Sequence, residues 1–281
     1  MRVEDGPERR TSGIEIVAVR GSRIERRPDR LVGEEPMAIR AAGPGQDPVE
    51  VAVTMRTPGH EAELAVGFLR TEGLIDGSEV VEVTFADPTQ SSQPDDEVLV
   101  RLSRPFDASA VAERHFVATA SCGICGKASL DEIAVRCEAL PPGPVVARNV
   151  IVGLPDRLRA AQAMFETTGG LHASGLFSPE GELLELREDV GRHNALDKLI
   201  GSQVLADRLP VHDRIILVSG RVSFELVQKA AVAGVPILCA VGAPSDLAVE
   251  AAQRLGQTLI GFLRGDGFNV YTHLDRIALD A

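Results

Sequence analysis

Residues 214–241, RIILVSGRVSFELVQKAAVAGVPILCAV, indicate the fold class most clearly. They contain a short apolar strand, a helix over 222–233 and a second short apolar strand. Strands that are apolar on both faces are typical of a sheet covered on both sides, and strand–helix–strand units build parallel sheets. The stretch therefore predicts an α/β domain around a largely parallel sheet.

The same alternation continues on both sides of this stretch. Helices are predicted over 157–167, 193–206 and 246–256, and strands in the runs SGLFS, ELLELRED and TLIGFLRG. Right-handed crossovers place the carboxyl ends of parallel strands at one edge of the sheet, which is where ligands usually bind. The loops that follow these strands are therefore the first place to look for a site.

The amino-terminal part of the chain has a different residue pattern, which predicts mainly strands. β-Branched runs at 14–21, 30–43 and 49–59 predict strands, and a helix is predicted over 60–73. The breaker LPPGP at 140–144 separates this part from the α/β part. The predicted division is a disordered leader (1–13), an N-terminal β-rich subdomain (14–115), a CxxC loop and linker (116–144) and an α/β cofactor-binding core (145–281).

Composition narrows the class of protein. The net charge of −12 over 281 residues argues against general binding to nucleic acid or to anionic membranes. No apolar run reaches the roughly 20 residues of a membrane helix, and the charged start MRVEDGPERR has no apolar signal region. Four cysteines in a chain of this length cannot form a disulfide scaffold. A cytoplasmic, reduced protein is expected.

Two cysteines lie three positions apart in ATASCGICGK, residues 118–127. Neighbouring glycines leave Cys122 and Cys125 uncrowded, and Lys127 is a cation that would lower a thiol pKa. A reactive thiolate in an adaptable loop is the functional interpretation, with both cysteines as candidate catalytic residues.

A zinc site and a redox dithiol are the alternatives for this pair. Structural zinc takes four ligands, whereas Cys137 and Cys239 are single cysteines in apolar surroundings. A thioredoxin-like dithiol lies early in a βαβ unit beside an aromatic residue, but this pair lies in the middle of a chain without tryptophan. No permanent metal is therefore predicted.

Charged and polar residues gather in EDVGRHNALDKLIG, residues 188–201, next to the glycine-rich TGGLHASGLF, residues 168–177. A helix that begins near His193, with Arg192 and Lys198 as cations, could hold an anion. His172 and His193 could transfer protons near neutral pH. The alternatives are that Asp189 caps this helix, that each histidine is a satisfied core residue, and that the following charged residues are solvated. Those following residues are Asp197 and Lys198.

Three further turns could hold phosphate groups. The turn after the strand RIILV offers hydroxyls, a glycine and a cation, namely Ser219, Gly220, Arg221 and Ser223. It is neither a Walker motif nor G-x-G-x-x-G, and a plain helix cap at Ser223 is the alternative. A turn near Gly242 and Pro244 likewise follows a predicted strand and precedes a predicted helix. The segment 261–267 predicts a glycine-rich turn between two strands, with a plain hairpin turn as the alternative.

Taken in order, these segments resemble one family along residues 14–276. RTPGHEAELAVGFLRTEGLI, SCGICGK, TGGLHASGLF, EDVGRHNALDKLIG, SGRVSFELVQKAAVAGVPIL, GAPSDLAVEAA and GFLRGDGFNVYTH are similar to the corresponding segments of the formate dehydrogenase accessory sulfurtransferases, the FdhD-type sulfur carriers. The resemblance implies a cytoplasmic homodimer that takes persulfide sulfur from a cysteine desulfurase. The sulfur then goes to the bis-molybdopterin guanine dinucleotide molybdenum cofactor, a bound substrate that is inserted into apo formate dehydrogenase.

The resemblance also assigns roles to residues. Cys122 would carry the persulfide and Cys125 would assist. The cofactor would contact the turn residues Gly261, Phe262, Leu263, Arg264, Gly265, Asp266 and Gly267. The candidate anion site formed by 192–193 and 219–223 would add affinity for its phosphates.

The same family implies a cytidine-deaminase-like three-layer core with a smaller N-terminal β-rich subdomain. Deaminase chemistry is not expected, because it needs H-x-E and P-C-x-x-C. None of the six histidines has Glu two positions later, and Ser121 precedes the first cysteine. Two other functions stay open: a molybdenum-cofactor chaperone that transfers no sulfur, and a zinc-dependent hydrolase.

Overall fold

The computed structural model describes residues 10–86, 94–111 and 139–280. Cys122, Cys125 and Lys127 lie outside these ranges, as do residues 1–9 of the predicted leader. Among the described residues, no helix has both the length and the apolar character to cross a bilayer.

The amino-terminal part contains a two-stranded ribbon and a four-stranded sheet covered by one helix. The ribbon pairs β1 with β2, and the sheet has the strand order β4-β3-β6-β5. In the sheet, Ile39 and Val100 pack against Leu64 and Leu69 of the helix. The elements are β1 (Thr11–Arg20), β2 (Arg23–Val32), β3 (Glu35–Ala42), β4 (Val49–Arg56), α1 (Glu61–Thr71), β5 (Val80–Phe85) and β6 (Glu97–Leu102).

The boundary predicted for the leader is wrong by three residues. Thr11 pairs with Val32 and Gly13 with Arg30, so residues 11–13 belong to β1 rather than to a disordered segment. The polar local sequence did not indicate a strand here. These residues form a strand because they pair with β2.

The carboxyl-terminal part forms the α/β core around a six-stranded sheet of order β13-β12-β11-β10-β8-β9. Helix α2 begins at Arg148, earlier than the predicted 157, and Pro155 lies inside it. The elements are β7 (Val146–Ala147), α2 (Arg148–Ala161), α3 (Ala163–Thr168), β8 (His172–Phe177), β9 (Leu183–Asp189), α4 (Arg192–Leu205), β10 (Ile215–Val218), α5 (Phe224–Val232), β11 (Ile237–Ala240), α6 (Asp246–Leu255), β12 (Thr258–Arg264), β13 (Gly267–Thr272) and β14 (Ile277–Ala278).

Helices cover both faces of this sheet, as the predicted α/β class requires. On one face, Leu196 of α4, Leu226 of α5 and Ala252 of α6 pack with Leu238. On the other face, Ile151 and neighbouring residues of α2 pack with Leu217 and Ile260. The layers confirm the α/β fold class, whereas the cytidine-deaminase-like description stays a prediction.

The prediction of a largely parallel sheet is wrong. In this sheet, only the neighbouring pairs β10–β11 and β11–β12 are parallel, whereas the pairs β8–β9, β8–β10 and β12–β13 are antiparallel. The reason is the length of the connections: β8–β9 and β12–β13 are joined by turns too short for a crossover, and short turns can only join antiparallel strands. Gly265, with φ 59, supplies the left-handed position in the second turn.

The two parts of the molecule meet where α1 crosses α4, and glycines allow a close approach there. A Cβ on Gly67 of α1 would lie 1.9 Å from the carbonyl oxygen of Asp197. A Cβ on Gly201 of α4 would lie 1.8 Å from the carbonyl oxygen of Glu63. The backbones of the two helices are therefore in direct contact, and neither glycine has room for a side chain.

The alternative that Asp197 and Lys198 are solvated is wrong, because each is 1% exposed. Asp197 accepts hydrogen bonds from Lys229 Nζ at 2.9 Å and from Thr71 Oγ1 at 2.7 Å. Lys198 forms a separate buried ion pair with Asp189 at 2.7 Å, so the expectation that its ammonium group holds an anion at the start of α4 is wrong. These buried charges connect α1 and the loop before it to α4 and α5.

Candidate functional site

The candidate site lies at the edge of the central sheet where the three parallel strands end. Strand β8 is antiparallel to β10, so its first residue, His172, lies at this same edge. His172 pairs with Asp189, the last residue of β9. Strand topology thus brings the starts of α4 and α5 and the loops after β10, β11 and β12 together, as expected for a ligand site of an α/β sheet.

Helix α4 begins at this edge with Arg192 and His193. Gly191 is the N-cap residue, and no side chain of the described residues caps the first turn. Asp189 does not act as the predicted cap of that turn; its Oδ1 accepts the N–H of Gly191 at 2.8 Å. The first-turn amides and the guanidinium therefore form a positive end that attracts anions.

His193 joins the starts of α4 and α5. Its Nε2 lies 2.8 Å from Glu225 Oε2 and 3.3 Å from Ser223 Oγ. The hydrogen bond from His193 lowers the pKa of Glu225. Ser223 is the N-cap residue of α5, but its side chain makes no capping hydrogen bond, so the alternative of a plain helix cap does not hold. Its hydroxyl faces the site instead.

His172 is a half-buried imidazole beside these groups. Burial lowers the pKa of this imidazole below its ordinary value, and the neighbouring Arg192 and His193 lower it further. Gly220 makes room for it, because a Cβ at this position would lie 3.3 Å from His172 Nδ1 and 3.8 Å from Arg192 Cδ. His172 is therefore neutral near pH 7 and can accept a proton or a hydrogen bond.

Backbone hydrogen bonds fasten the three loops of the edge to one another. Gly242 donates its N–H to the carbonyl of Gly220 at 3.0 Å, and its own carbonyl accepts the N–H of Phe262 at 3.0 Å. A Cβ on Gly242 would lie 2.7 Å from the Gly220 carbonyl oxygen, and one on Gly261 would lie 2.8 Å from Pro244 Cδ. Side chains are excluded at these crossing points, so the loops form one rigid floor.

The segment 261–267 is a strand end and a short turn, not one long turn. Residues up to Arg264 belong to β12, β13 begins at Gly267, and only Gly265 and Asp266 form the turn. Phe262 adopts φ 53 in the left-handed region, which costs a non-glycine residue about 1 kcal/mol. Phe262 is 37% exposed, and the Arg264 guanidinium lies 5.7 Å from the centre of its ring. An exposed aromatic face beside a cation suits a nucleobase.

Some of the predicted site residues have structural roles. Ser219 Oγ accepts the N–H of Ala173 at 2.9 Å, so this hydroxyl holds β8 to the loop after β10. The side chain of Leu263 is fully buried in the core under the sheet, which leaves only its backbone at the turn. Arg221 is exposed in the same loop as Gly220. The cysteine pair lies outside the described residues, so its distance from the edge is not part of this geometry.

Two residues contribute to the site although little in the sequence indicated them. Glu225 gave no signal of its own, although its position two residues after Ser223 places it in the first turn of α5. Gly242 stood out only as a glycine after a strand. Its role depends on the crossing of two loops, and that crossing cannot be detected from local sequence.

The pKa of His172 gives a direct test of this cluster. Arg192→Gln removes a neighbouring cation, so the pKa of His172 is expected to rise towards the ordinary value of a histidine. Titration of the imidazole nitrogens by NMR measures it, with Arg214→Gln at the opposite end of β10 as the control. An unchanged midpoint in Arg192→Gln would show that the two side chains do not interact.

Protein relatives match nearly the whole chain. A protein from Streptomyces avermitilis named Sulfur carrier protein FdhD is 46% identical over 280 residues, which cover 96% of this chain and 97% of that protein. A protein of the same name from Saccharolobus solfataricus is 40% identical over 269 residues, covering 95% of this chain and 98% of that protein. One from Nocardia farcinica is 48% identical over 257 residues, covering 90% and 89%.

A solved structure has the same fold. The crystal structure of a proposed formate dehydrogenase accessory protein from Desulfotalea psychrophila matches with a TM-score of 0.74 at 23% identity, covering 95% of this chain and 99% of that one. The profile of the FdhD/NarQ family matches residues 32–278, which include β3 to β13 and every candidate site residue. The chain therefore belongs to the FdhD/NarQ family.

Proposed function

We propose that this protein is a sulfur carrier that takes persulfide sulfur from a cysteine desulfurase and delivers it to the bis-molybdopterin guanine dinucleotide cofactor of formate dehydrogenase. The observation that carries the proposal is the match, over nearly the full length of both chains, to relatives named sulfur carrier proteins. The resemblance extends the proposal to a cytoplasmic homodimer whose protein partners are the desulfurase and apo formate dehydrogenase.

The first step is a thiolate exchange at Cys122. Its sulfur attacks the terminal sulfur of the donor persulfide, the donor sulfur–sulfur bond breaks, and the donor cysteine leaves as a thiolate. The product is a persulfide on Cys122. Lys127 is close enough in sequence to favour the thiolate form that this attack requires.

Release of the carried sulfur as sulfide needs two electrons, and Cys125 can supply them. Its thiolate attacks the inner sulfur of the persulfide, a Cys122–Cys125 disulfide forms, and the terminal atom leaves as hydrosulfide to the metal centre. A cellular thiol reductant then restores the two thiols. This gives the second cysteine of the CxxC pair a role that one cysteine alone could not perform.

The edge of the sheet is the proposed seat of the cofactor's guanine dinucleotide part. The starts of α4 and α5 offer amide groups to the phosphates, and Arg192 adds a cation. Phe262 and Arg264 offer a stacking surface to the base. His172 is a neutral acceptor at the floor of the same site.

Binding of GDP, the smallest part of the cofactor that contains both base and phosphates, tests this site. Gly242→Ala is expected to weaken GDP binding about tenfold or more, because its Cβ would push the Gly220 loop away from Gly242. Gly13→Ala in β1 is the matched control, since nothing lies within 4 Å of a Cβ there and the residue is outside the proposed site. Isothermal titration calorimetry compares the two, and equal affinities would place the site elsewhere.

Formate dehydrogenase maturation tests the function as a whole. A bacterial strain that lacks its own sulfur carrier is expected to recover formate dehydrogenase activity when this chain is expressed. The rival function, a chaperone that binds the cofactor without transferring sulfur, predicts recovery even when the cysteines are replaced. Recovery that is independent of the cysteines would therefore favour the chaperone.

A further inference from the structure

Lys198 and Asp189 form a buried ion pair directly beneath the start of α4. Lys198 is 1% exposed and Asp189 is fully buried. Lys198 Nζ lies 2.7 Å from Asp189 Oδ2 and donates to the carbonyl oxygen of Thr57 at 2.8 Å. Thr57 belongs to the loop between β4 and α1, so one ammonium group binds both parts of the molecule.

Asp189 also binds the residues at the start of α4. Its Oδ1 accepts the N–H of Gly191 at 2.8 Å and the Nδ2 of Asn194 at 3.3 Å. Its Oδ2 accepts the N–H of Thr57 at 3.1 Å, and Thr57 Oγ1 in turn accepts the N–H of Val190 at 3.1 Å. Residues 189–191 are thus held on both carboxylate oxygens and on the threonine hydroxyl.

A buried ion pair is a poor source of stability, since the loss of hydration offsets most of the attraction between the charges. What this ion pair contributes here is the position of residues 189–191. The three residues that it holds immediately precede Arg192 and His193, whose places on the edge depend on where α4 begins. Lys198 itself is buried, so it does not contact a ligand and acts on the site through Asp189 and Thr57.

We infer that Lys198 is a positioning residue for the proposed nucleotide site, acting through Asp189 and Thr57 to fix the start of α4. The inference rests on the proposed function, because the site is the one proposed for the guanine dinucleotide. It extends that site from the loops of the α/β core to the β4–α1 loop of the amino-terminal part.

A second buried lysine supplies a matched control. Lys229 of α5 is 5% exposed and binds Asp197, Thr71 and Glu72 at 2.8–3.0 Å. Its contacts connect α5 to α1 and α4 without touching residues 189–193. Lys198→Met and Lys229→Met therefore each remove a buried ammonium group from an ion pair, but only the first removes one from the entry to α4.

The test compares GDP binding and amide exchange in the two variants. Lys198→Met is expected to raise the Kd for GDP about tenfold and Lys229→Met less than about threefold, at temperatures where both are folded. Without GDP, hydrogen exchange at the Gly191 and Val190 amides is expected to become about tenfold faster in Lys198→Met only. Equal effects of the two variants on both quantities would reduce Lys198 to a general stability role and overturn the inference.

If the lysine variants do not fold, two threonine variants that keep the charges test the inference. Thr57→Ala keeps both charges and removes only the hydroxyl that holds Val190, while Thr71→Ala removes the hydroxyl that contacts Asp197 and Lys229. Faster exchange at Val190 and weaker GDP binding in Thr57→Ala but not in Thr71→Ala support the inference, and no difference overturns it. If the wild-type protein does not bind GDP, the proposed site is wrong, and the exchange comparison alone still decides whether Lys198 positions α4.

Discussion

Cys122→Ala is expected to abolish formate dehydrogenase maturation while the purified variant binds GDP as the wild type does. The thiolate at 122 is the only acceptor of sulfur in the proposed mechanism, whereas nucleotide binding is assigned to the sheet edge. Formate dehydrogenase activity in a complemented carrier-deficient strain measures the first effect, and calorimetry with GDP measures the second.

Cys239→Ala is the control for this prediction. Cys239 is fully buried in β11, and burial raises the pKa of its thiol far above the ordinary value, so it is not a nucleophile at neutral pH. This variant is expected to lose some stability and to keep maturation. Maturation retained in Cys122→Ala would contradict the carrier role, and GDP binding lost in Cys122→Ala would contradict the separation of the two roles.

Gly67→Ala is expected to destabilise the protein by about 3 kcal/mol, the upper end of the usual cost of overpacking. The added methyl group would lie 1.9 Å from a backbone carbonyl oxygen of α4, so it cannot be accommodated by rotation of a side chain. The helices α1 and α4 would have to separate, and the buried ion pairs between the two parts of the molecule would be disturbed with them.

Gly153→Ala in α2 is the matched helical control. There the nearest atoms, at 3.8 Å, are the end of the Arg157 side chain, and the added methyl group favours the helix by up to about 1 kcal/mol. Urea unfolding followed by circular dichroism compares the two variants. If Gly67→Ala proved as stable as Gly153→Ala, the close crossing of α1 and α4 would be wrong.

The fold was predictable where short-range pattern decides it. Residues 214–241 gave two strands and a helix, and the structure has β10, α5 and β11 there, with α5 at Phe224–Val232 against a predicted 222–233. Strand direction was not predictable in the same way. Buried strands joined by helices and buried strands joined by tight turns have the same apolar composition, and only the length of the connection separates them.

The site was predictable as a set of loops but not as a set of contacts. The rule that parallel strands end at one edge brought together Arg192, His193, Gly220 and Ser223. The partners of Lys198 could not be predicted, since Thr57 lies 141 residues away in sequence. Long-range contacts of this kind turn residues that look solvated into buried ones, and no local pattern indicates them.

The account as a whole depends on a sulfur atom being held at Cys122. The purified protein, incubated with a cysteine desulfurase and cysteine, should yield a tryptic peptide of residues 115–127 that is heavier by about 32 Da, the mass of one sulfur atom. The added mass should disappear on reduction and should be absent from Cys122→Ala. An unmodified peptide under conditions in which the desulfurase is active would contradict the sulfur-carrier account and leave cofactor binding without sulfur transfer.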